Sequence, residues 1–305
     1  MTSRFWRAWG VVFLIATLAS ATMADAAPRR TTRSALHTTR RSSTTHRRHV
    51  RRARRPPAGG VYARSAVVFD PVTNEVLFAK NAATSAPIAS LTKLMTAMVF
   101  LDHKPDLERE VEVTRTELSG AGHTQLRNGE LVSLGDLLHM SLMCSDNVAT
   151  RVLARESGLE AAEFLGEMNR KAHELNLGDT RFVEFTGLDE HNVSTATDVA
   201  RMLRAAADHE MIRSITTSRS YDFTTERRAH HIVNTNRLLY GRYEILGGKT
   251  GFISEAGYCL ATWVRSEGRD MIAVVLGAPT NATRFADVVR LVNKTTKPTF
   301  APTHD

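Results

Sequence analysis

Acid is missing from the stretch where positive charge is densest. Arg29 to Pro57 holds eleven arginines and neither aspartate nor glutamate, whereas residues 1–26 contribute two arginines and one aspartate. Taking those eleven and that net one from the chain's +8 leaves the remainder at −4. The basic character is a property of the tail, and the folded part has no positive excess that would point to nucleic acid as a partner. Cysteine is scarce too: Cys144 and Cys259 are the only two and stand in no metal-ligand spacing. Two separate buried thiols or one disulfide both fit, the second being permitted but not required by export. Long apolar runs are lacking beyond the N-terminus. There, Trp9 to Leu18 follows Arg4 and Arg7 and precedes Ala24–Asp25–Ala26. That is the charged, apolar, small-residue order of a secretory signal peptide, with cleavage expected after Ala26. The run is shorter than the roughly 20 residues of a membrane-spanning helix, which weakens the alternative of an uncleaved anchor.

Residues 27–60 are Arg, Thr, Ser, His and Pro with almost no large apolar side chain, so they cannot offset their ordering entropy and are expected to form a disordered linker. Dense arginine would draw that linker to an anionic surface; a plain spacer is the simpler reading. With 42% apolar residues the rest of the chain can bury a substantial core. A folded domain is expected over 61–297, with a short disordered tail over 298–305. Ser65–Asp70 and Glu75–Lys80 read as a hairpin around Pro71–Val72–Thr73–Asn74. Helices fit Leu134–Met143 behind a Ser133 cap, Asn147–Ala154, Ala161–Glu174, Thr197–Asp208 and Asn281–Asn293. Strand patterning returns near Tyr221 and dominates Glu244–Leu276, where Cys259–Val264 and Met271–Leu276 pair across Ser266–Glu267–Gly268–Arg269. Strands at both ends with helices inserted between predict an α+β fold: one antiparallel sheet flanked by helices, plus an all-helical lobe.

Three short motifs carry chemistry. In Pro87–Ile88–Ala89–Ser90–Leu91–Thr92–Lys93–Leu94–Met95, apolar residues recur with helical spacing, which predicts one buried stripe. Ser90 and Lys93, three apart, are neighbours near the first turn, so a hydroxyl has a base within reach. Ser-x-x-Lys occurs roughly once by chance in a chain of this length, and Ser90 as a cap with Lys93 as a solvated charge would explain it equally well. Ser145–Asp146–Asn147 lies in a polar break between two helices and is also a good capping sequence. Gly247–Gly248–Lys249–Thr250–Gly251 enters the strand series and is also a good glycine-rich turn. Together and in this order the three are roughly a few-in-a-thousand accident.

Ser-x-x-Lys, Ser-Asp-Asn and Lys-Thr-Gly form the signature of penicillin-binding proteins and class A β-lactamases. The chain resembles the low-molecular-mass penicillin-binding proteins, the serine D-alanyl-D-alanine carboxypeptidase and endopeptidase family (peptidase family S11), with their β-lactamase/DD-peptidase-like fold. The resemblance spans roughly residues 61–293 and extends to Asn176–Phe182, Thr186–Gly187–Leu188, Asn192–Ala196 and Asn234–Leu239. Lys249–Phe252 with Ala256–Cys259 is similar to the short endopeptidase branch. The chain stops near residue 305, without room for the C-terminal β-rich domain or amphipathic anchor of the longer carboxypeptidases.

The resemblance implies an extracytoplasmic, periplasmic enzyme that acylates on Ser90, acts on peptidoglycan stem peptides or cross-links, binds β-lactam antibiotics covalently and needs no cofactor or metal. Lys93 would be the base, Ser145 a proton relay to the leaving amine, and Asn147 the residue that orients Lys93 and binds a substrate amide. Lys249 and Thr250 would hold a carboxylate. Gly251 would let the substrate backbone lie against its strand, and the backbone N–H groups of Ser90 and Phe252 would form the oxyanion hole. Other constellations are weaker. Adjacent His230 and His231 on a strand point to opposite faces, which disfavours a metal pair, and Asp102–His103 with Ser90 is a poor triad when Lys93 is already beside the serine. Glu174–Leu175–Asn176 partly matches the Glu-x-Glu-Leu-Asn segment of class A β-lactamases, but Ala172 stands where the deacylating glutamate would be. A β-lactamase, or an idle wall-binding or β-lactam-sensing module, remain the alternatives.

Overall fold

The structure is a computed structural model that describes residues 60–296. The expected signal peptide, nearly all of the arginine-rich linker and the tail 298–305 lie outside the described residues. In chain order, β1 (Ser65–Phe69) and β2 (Val76–Lys80) form the expected hairpin, and β3 (Ala86–Pro87) leads through a 3-10 turn (Ala89–Leu91) into α1 (Thr92–Asp102). A lobe follows, of β4 (Glu110–Glu112), α2 (Arg115–Leu118), β5 (Leu131–Ser133), α3 (Leu134–His139), a π turn (Met140–Cys144), α4 (Asn147–Arg155) and α5 (Ala161–Glu174). The chain returns through β6 (Val193–Ser194), α6 (Ala196–Asp208), α7 (Glu210–Thr217), β7 (Ser220–Thr224), β8 (Ala229–Val233) and a second 3-10 turn (Arg237–Tyr240). It closes with β9 (Glu244–Ile253), β10 (Gly257–Ser266), β11 (Arg269–Ala278) and α8 (Asn281–Thr296).

The main sheet has the order β2-β1-β11-β10-β9 with every pairing antiparallel, so strands from both ends of the chain meet at β1 and β11. Alternation along the central strands sorts two cores. Ala66, Val68, Met271, Ala273 and Val275 pack with Val288, Leu291 and Val292 of α8. Val67, Phe69, Ile272, Val274 and Leu276 face the other way, into the core shared with α1, α4, α5 and α6. Both sides of the sheet are therefore covered, and β9 is left as an edge beside the 3-10 turn that carries Ser90.

Helix starts follow their side-chain caps: Ser133, Asp146 and Thr195 accept from the backbone N–H of Asp136, Ala149 and Asp198 at 3.0, 3.0 and 3.1 Å. Several details depart from the expectations. Instead of burying one stripe, α1 is buried from Thr92 to Phe100 and forms the axis of the larger core. The Leu134–Met143 helix gives way to the π turn after His139 and ends at Ser145 in the left-handed region, φ 66°. Helix α7 is not expected from its Ile, Ser and Thr residues, which favour other conformations; burial of Ile212, Ile215 and Thr216 on one face overrides that preference. The region between the sheet strands is not purely helical, since it carries the ribbons β4–β5 and β7–β8.

Candidate active site

Ser90 caps nothing. No side chain accepts a hydrogen bond at the start of the 3-10 turn or of α1, and Ala89 just before the serine has φ 50°. Left-handed alanine is uncommon and costly, and here neighbours hold it in place. The Thr92 hydroxyl donates to the Ala89 carbonyl at 2.8 Å, Asn192 Nδ2 donates to that hydroxyl at 3.2 Å, and Ile88 N–H donates to the Asn192 carbonyl at 3.1 Å. Two glycines close on the same peptide. A Cβ at Gly251 would lie 2.9 Å from the Ile88 carbonyl oxygen and 3.2 Å from Ser90 N; one at Gly187, φ 84°, would lie 1.9 Å from the Ala89 carbonyl oxygen. Both positions require the missing side chain.

Lys93 is fully buried, and its Nζ has three oxygen neighbours: Ser90 Oγ at 3.1 Å, Asn147 Oδ1 at 2.6 Å and the Thr186 carbonyl at 2.6 Å. Asn147 is oriented by its own amide, which donates to the Ala121 carbonyl at 2.7 Å. The functional and capping readings of Ser145–Asp146–Asn147 divide among its residues. Asp146 caps α4 and also accepts from the Thr124 hydroxyl at 2.7 Å, whereas Ser145 and Asn147 turn to the two lysines.

Lys249 Nζ donates to Ser145 Oγ at 2.8 Å and to the Thr250 carbonyl at 3.0 Å. The motif lies inside β9, which starts at Glu244, five residues before Lys249. Gly248 belongs in a strand because a Cβ there would meet the Ala261 carbonyl and Asn236 Nδ2 at 2.9 Å. Thr250 Oγ1 and Thr235 Oγ1 are 2.7 Å apart. Phe252 is half exposed and stacks on Tyr258 with ring centroids 4.2 Å apart. The motifs gave no sign of Arg284, whose Nη1 donates to the carbonyls of Gly251 at 2.9 Å and Cys259 at 3.2 Å from α8. Thr186, Glu184 and Thr235 were also missed as functional neighbours, although Thr186–Gly187 and Thr235 fell inside segments seen to resemble the family.

Burial pushes the Lys93 ammonium down to about 7, against the opposing pull of Glu184 and Asp146. Lys249 also lies well below the ordinary lysine range, through burial first and then through the charges of Lys93 and Arg284. One buried amine is thus free to act as a base near neutral pH. The other gains a proton most readily when an anion arrives beside it.

The remaining candidates separate. His103 and Asp102 sit at the far end of α1, bound to Glu167 and Lys171, and take no part with Ser90. Buried His230 meets Glu130 at 2.7 Å, while exposed His231 meets Asp222 on the other face of β8. Glu174 is an exposed residue at the end of α5, 3.6 Å from Arg170. Cys144 and Cys259 are both free thiols.

Residues 50–280 match the family described as D-alanyl-D-alanine carboxypeptidase, peptidase S11. The chain belongs to this family. Among curated members it is similar to the D-alanyl-D-alanine endopeptidase of Pseudomonas aeruginosa, with 37% identity covering 78% of this chain and 81% of that one. It is also similar to the endopeptidase of Escherichia coli, with 36% identity covering 74% and 75%. Its fold is that of the Streptomyces K15 DD-transpeptidase, TM-score 0.73 at 27% identity, covering 77% of this chain and 97% of that one. It also matches penicillin-binding protein D2 of Listeria monocytogenes in its cefotaxime-bound form, TM-score 0.69 at 31% identity, covering 78% and 98%. The α+β, DD-peptidase-like fold expected from the motifs is the fold observed.

Proposed function

We propose that this serine-type D-alanyl-D-alanine peptidase acylates on Ser90 with Lys93 as its base, and that peptidoglycan cross-links are its principal substrate. The observation that carries the roles is the coordination of Lys93 Nζ. A neutral amine has two N–H bonds and one lone pair. Asn147 Oδ1 and the Thr186 carbonyl, each at 2.6 Å, can only accept and so take both N–H bonds. The lone pair is left for the Ser90 hydroxyl at 3.1 Å. Ser90 Oγ then attacks the D-alanyl carbonyl carbon as its proton passes to Lys93. The oxyanion is held by the N–H groups of Ser90 and Phe252, on either side of the Gly251 contact. As the C–N bond breaks, the leaving amine takes the Ser145 proton; Lys249 at 2.8 Å restores it and is itself restored by the proton that Lys93 took from Ser90. Water then attacks the ester carbon, its proton passing through Lys93 to the Ser90 oxygen as the acid leaves.

The substrate backbone adds to the free edge of β9, and its carboxylate lies at Lys249, Thr250 and Thr235. The endopeptidases named above, which this chain covers over most of their length, support cross-links over free stem peptides. The cefotaxime-bound relative supports covalent trapping by β-lactams. The N-terminal sequence supports export, with residues 27–60 as a tether to the domain over 61–297 and contact with anionic surfaces as their added role. Mass spectrometry of purified muropeptides after digestion tests the assignment. Loss of cross-linked dimers with gain of monomers is expected, and release of D-alanine from monomers alone would replace the endopeptidase with a carboxypeptidase.

A second reading as a class A-like β-lactamase finds no support at Glu174, whose exposed carboxylate pairs with Arg170. An idle binding module leaves unexplained why both lysines are buried against hydroxyls.

A further inference from the structure

One carboxylate outside the three motifs gathers an unusual number of donors beside the base. Glu184 lies in the loop between α5 and β6. Its Oε2 accepts from Thr186 N–H at 2.7 Å and from the Thr186 hydroxyl at 2.6 Å. Its Oε1 accepts from Gly187 N–H and from Asn192 Nδ2 at 2.9 Å. Asn192 closes the ring, since its Oδ1 accepts from the N–H groups of Val183 and Glu184 at 2.7 and 3.2 Å. The two residues whose N–H groups Glu184 holds are the ones that touch the reaction centre. Thr186 presents its carbonyl to Lys93 Nζ, and Gly187 presses on the Ala89–Ser90 peptide. On its other side the loop backs onto a cavity of about 790 Å³ walled by Glu184, Phe185, Leu188, Arg151 and Arg155. The loop is tied to α1 by the Thr96 hydroxyl, which donates to the Phe185 carbonyl at 2.6 Å, and the carboxylate clamp sets the Thr186–Gly187 turn that follows.

We propose that Glu184 is a positioning residue for acylation: it aims the Thr186 carbonyl at Lys93, fixes the backbone of Ser90 through Gly187, and lends Lys93 a compensating negative charge. This rests on the roles of Ser90 and Lys93 given above. The groups facing Lys93 are Glu184 from this loop, Cys144 and Asp146 from the π turn and its exit, Arg151 from α4 and Lys249 from β9. Glu184 is first among the charges that support the protonated amine; Asp146 acts in the same direction, whereas Arg151 opposes it. Removing the Glu184 charge therefore favours the neutral amine at lower pH, while the lost aim makes that amine a poorer base. A residue that only supports the fold would lower stability without moving the titration.

The test is the second-order rate constant for labelling by a fluorescent penicillin, measured from pH 5 to 9 on the wild type, Glu184→Gln and Glu184→Asp, with melting temperatures recorded alongside. Glu184→Gln should move the rising limb to lower pH by about one unit and lower the plateau at least about tenfold. The shorter Glu184→Asp keeps the charge but cannot span all four donors. Its limb should stay at the wild-type pH with a reduced plateau, and it decides the positioning role should Glu184→Gln fail to fold. An unmoved limb in Glu184→Gln, or a wild-type plateau in Glu184→Asp, overturns the proposal. Wild-type labelling that survives Ser90→Ala would instead overturn the underlying assignment of Ser90.

Discussion

Gly187 packs so closely on Ala89 that a Cβ built on it would stand 1.9 Å from the Ala89 carbonyl oxygen. Because Gly187 also has φ 84°, Gly187→Ala combines backbone strain with a clash against the peptide that carries Ser90. It should destabilise the protein by about 3 kcal/mol and slow penicillin labelling at least tenfold. Gly251→Ala meets the Ile88 carbonyl at 2.9 Å but needs no unusual φ, and should melt closer to the wild type. Urea denaturation and labelling rates on the pair check this, and equal stability would mean that Gly187 relaxes freely.

Acylation should depend on the ionisation of Lys93. With its ammonium held at about 7, the neutral fraction grows about tenfold per pH unit below that value and levels off above it. Labelling rates should therefore rise toward a plateau through neutral pH, and Lys93→Met should lose the limb along with most of the rate. A profile flat from pH 5 to 8 would remove Lys93 as the base.

A penicilloyl group on Ser90 should persist. Glu174 is far out on α5 and paired with Arg170, so it activates no deacylating water. A stoichiometric amount of penicillin should give an intact-mass adduct lasting minutes or longer, and Glu174→Ala should leave its lifetime unchanged. Turnover of many antibiotic molecules per enzyme within seconds would establish a β-lactamase.

Neighbouring residues of the second motif should fail in different ways. Asp146→Ala removes the α4 cap and the Thr124 partner, costing about 1–2 kcal/mol of stability. Asn147→Ala removes an acceptor from Lys93, and should slow acylation by about two orders of magnitude with a smaller loss of stability. Thermal melts and labelling rates separate the two.

Deleting residues 27–58 should leave turnover of soluble muropeptides nearly unchanged and weaken retention on anionic surfaces, more so at low salt than at high. The motif residues all lie beyond that segment. Loss of turnover on the soluble substrate would refute the tether.

Legibility in the sequence followed locality. Ser90 beside Lys93 is a consequence of helical spacing, and the helix expected over Ala161–Glu174 is α5 with those bounds, Phe164, Met168 and Ala172 lying on its buried face. The main sheet could be anticipated because its hairpins are local, from β1 to β2 and from β10 to β11. What lay hidden depends on tertiary approach. Arg284 reaches Gly251 across 33 positions, and Glu184 acts on Lys93 through Thr186, a neighbour only in space. Glycine was ambiguous for the same reason: Gly247–Gly248 reads as a turn until Ala261 and Asn236 are seen to crowd it.

On the proposed binding mode, the edge of β9 welcomes one foreign strand and has to refuse another. An open edge is a template for pairing with a second copy of the same chain. Here the run at the edge is Gly247–Gly248–Lys249–Thr250–Gly251, buried in the site, poor in the branched and aromatic side chains that hold strands together and centred on a lysine. Two such edges laid antiparallel would bring lysine against lysine in a site that already resists a second cation. A peptide ending in a carboxylate brings the opposite charge to the same place. On the proposed binding mode, the residue that invites the guest strand also disfavours the pairing of two β9 edges.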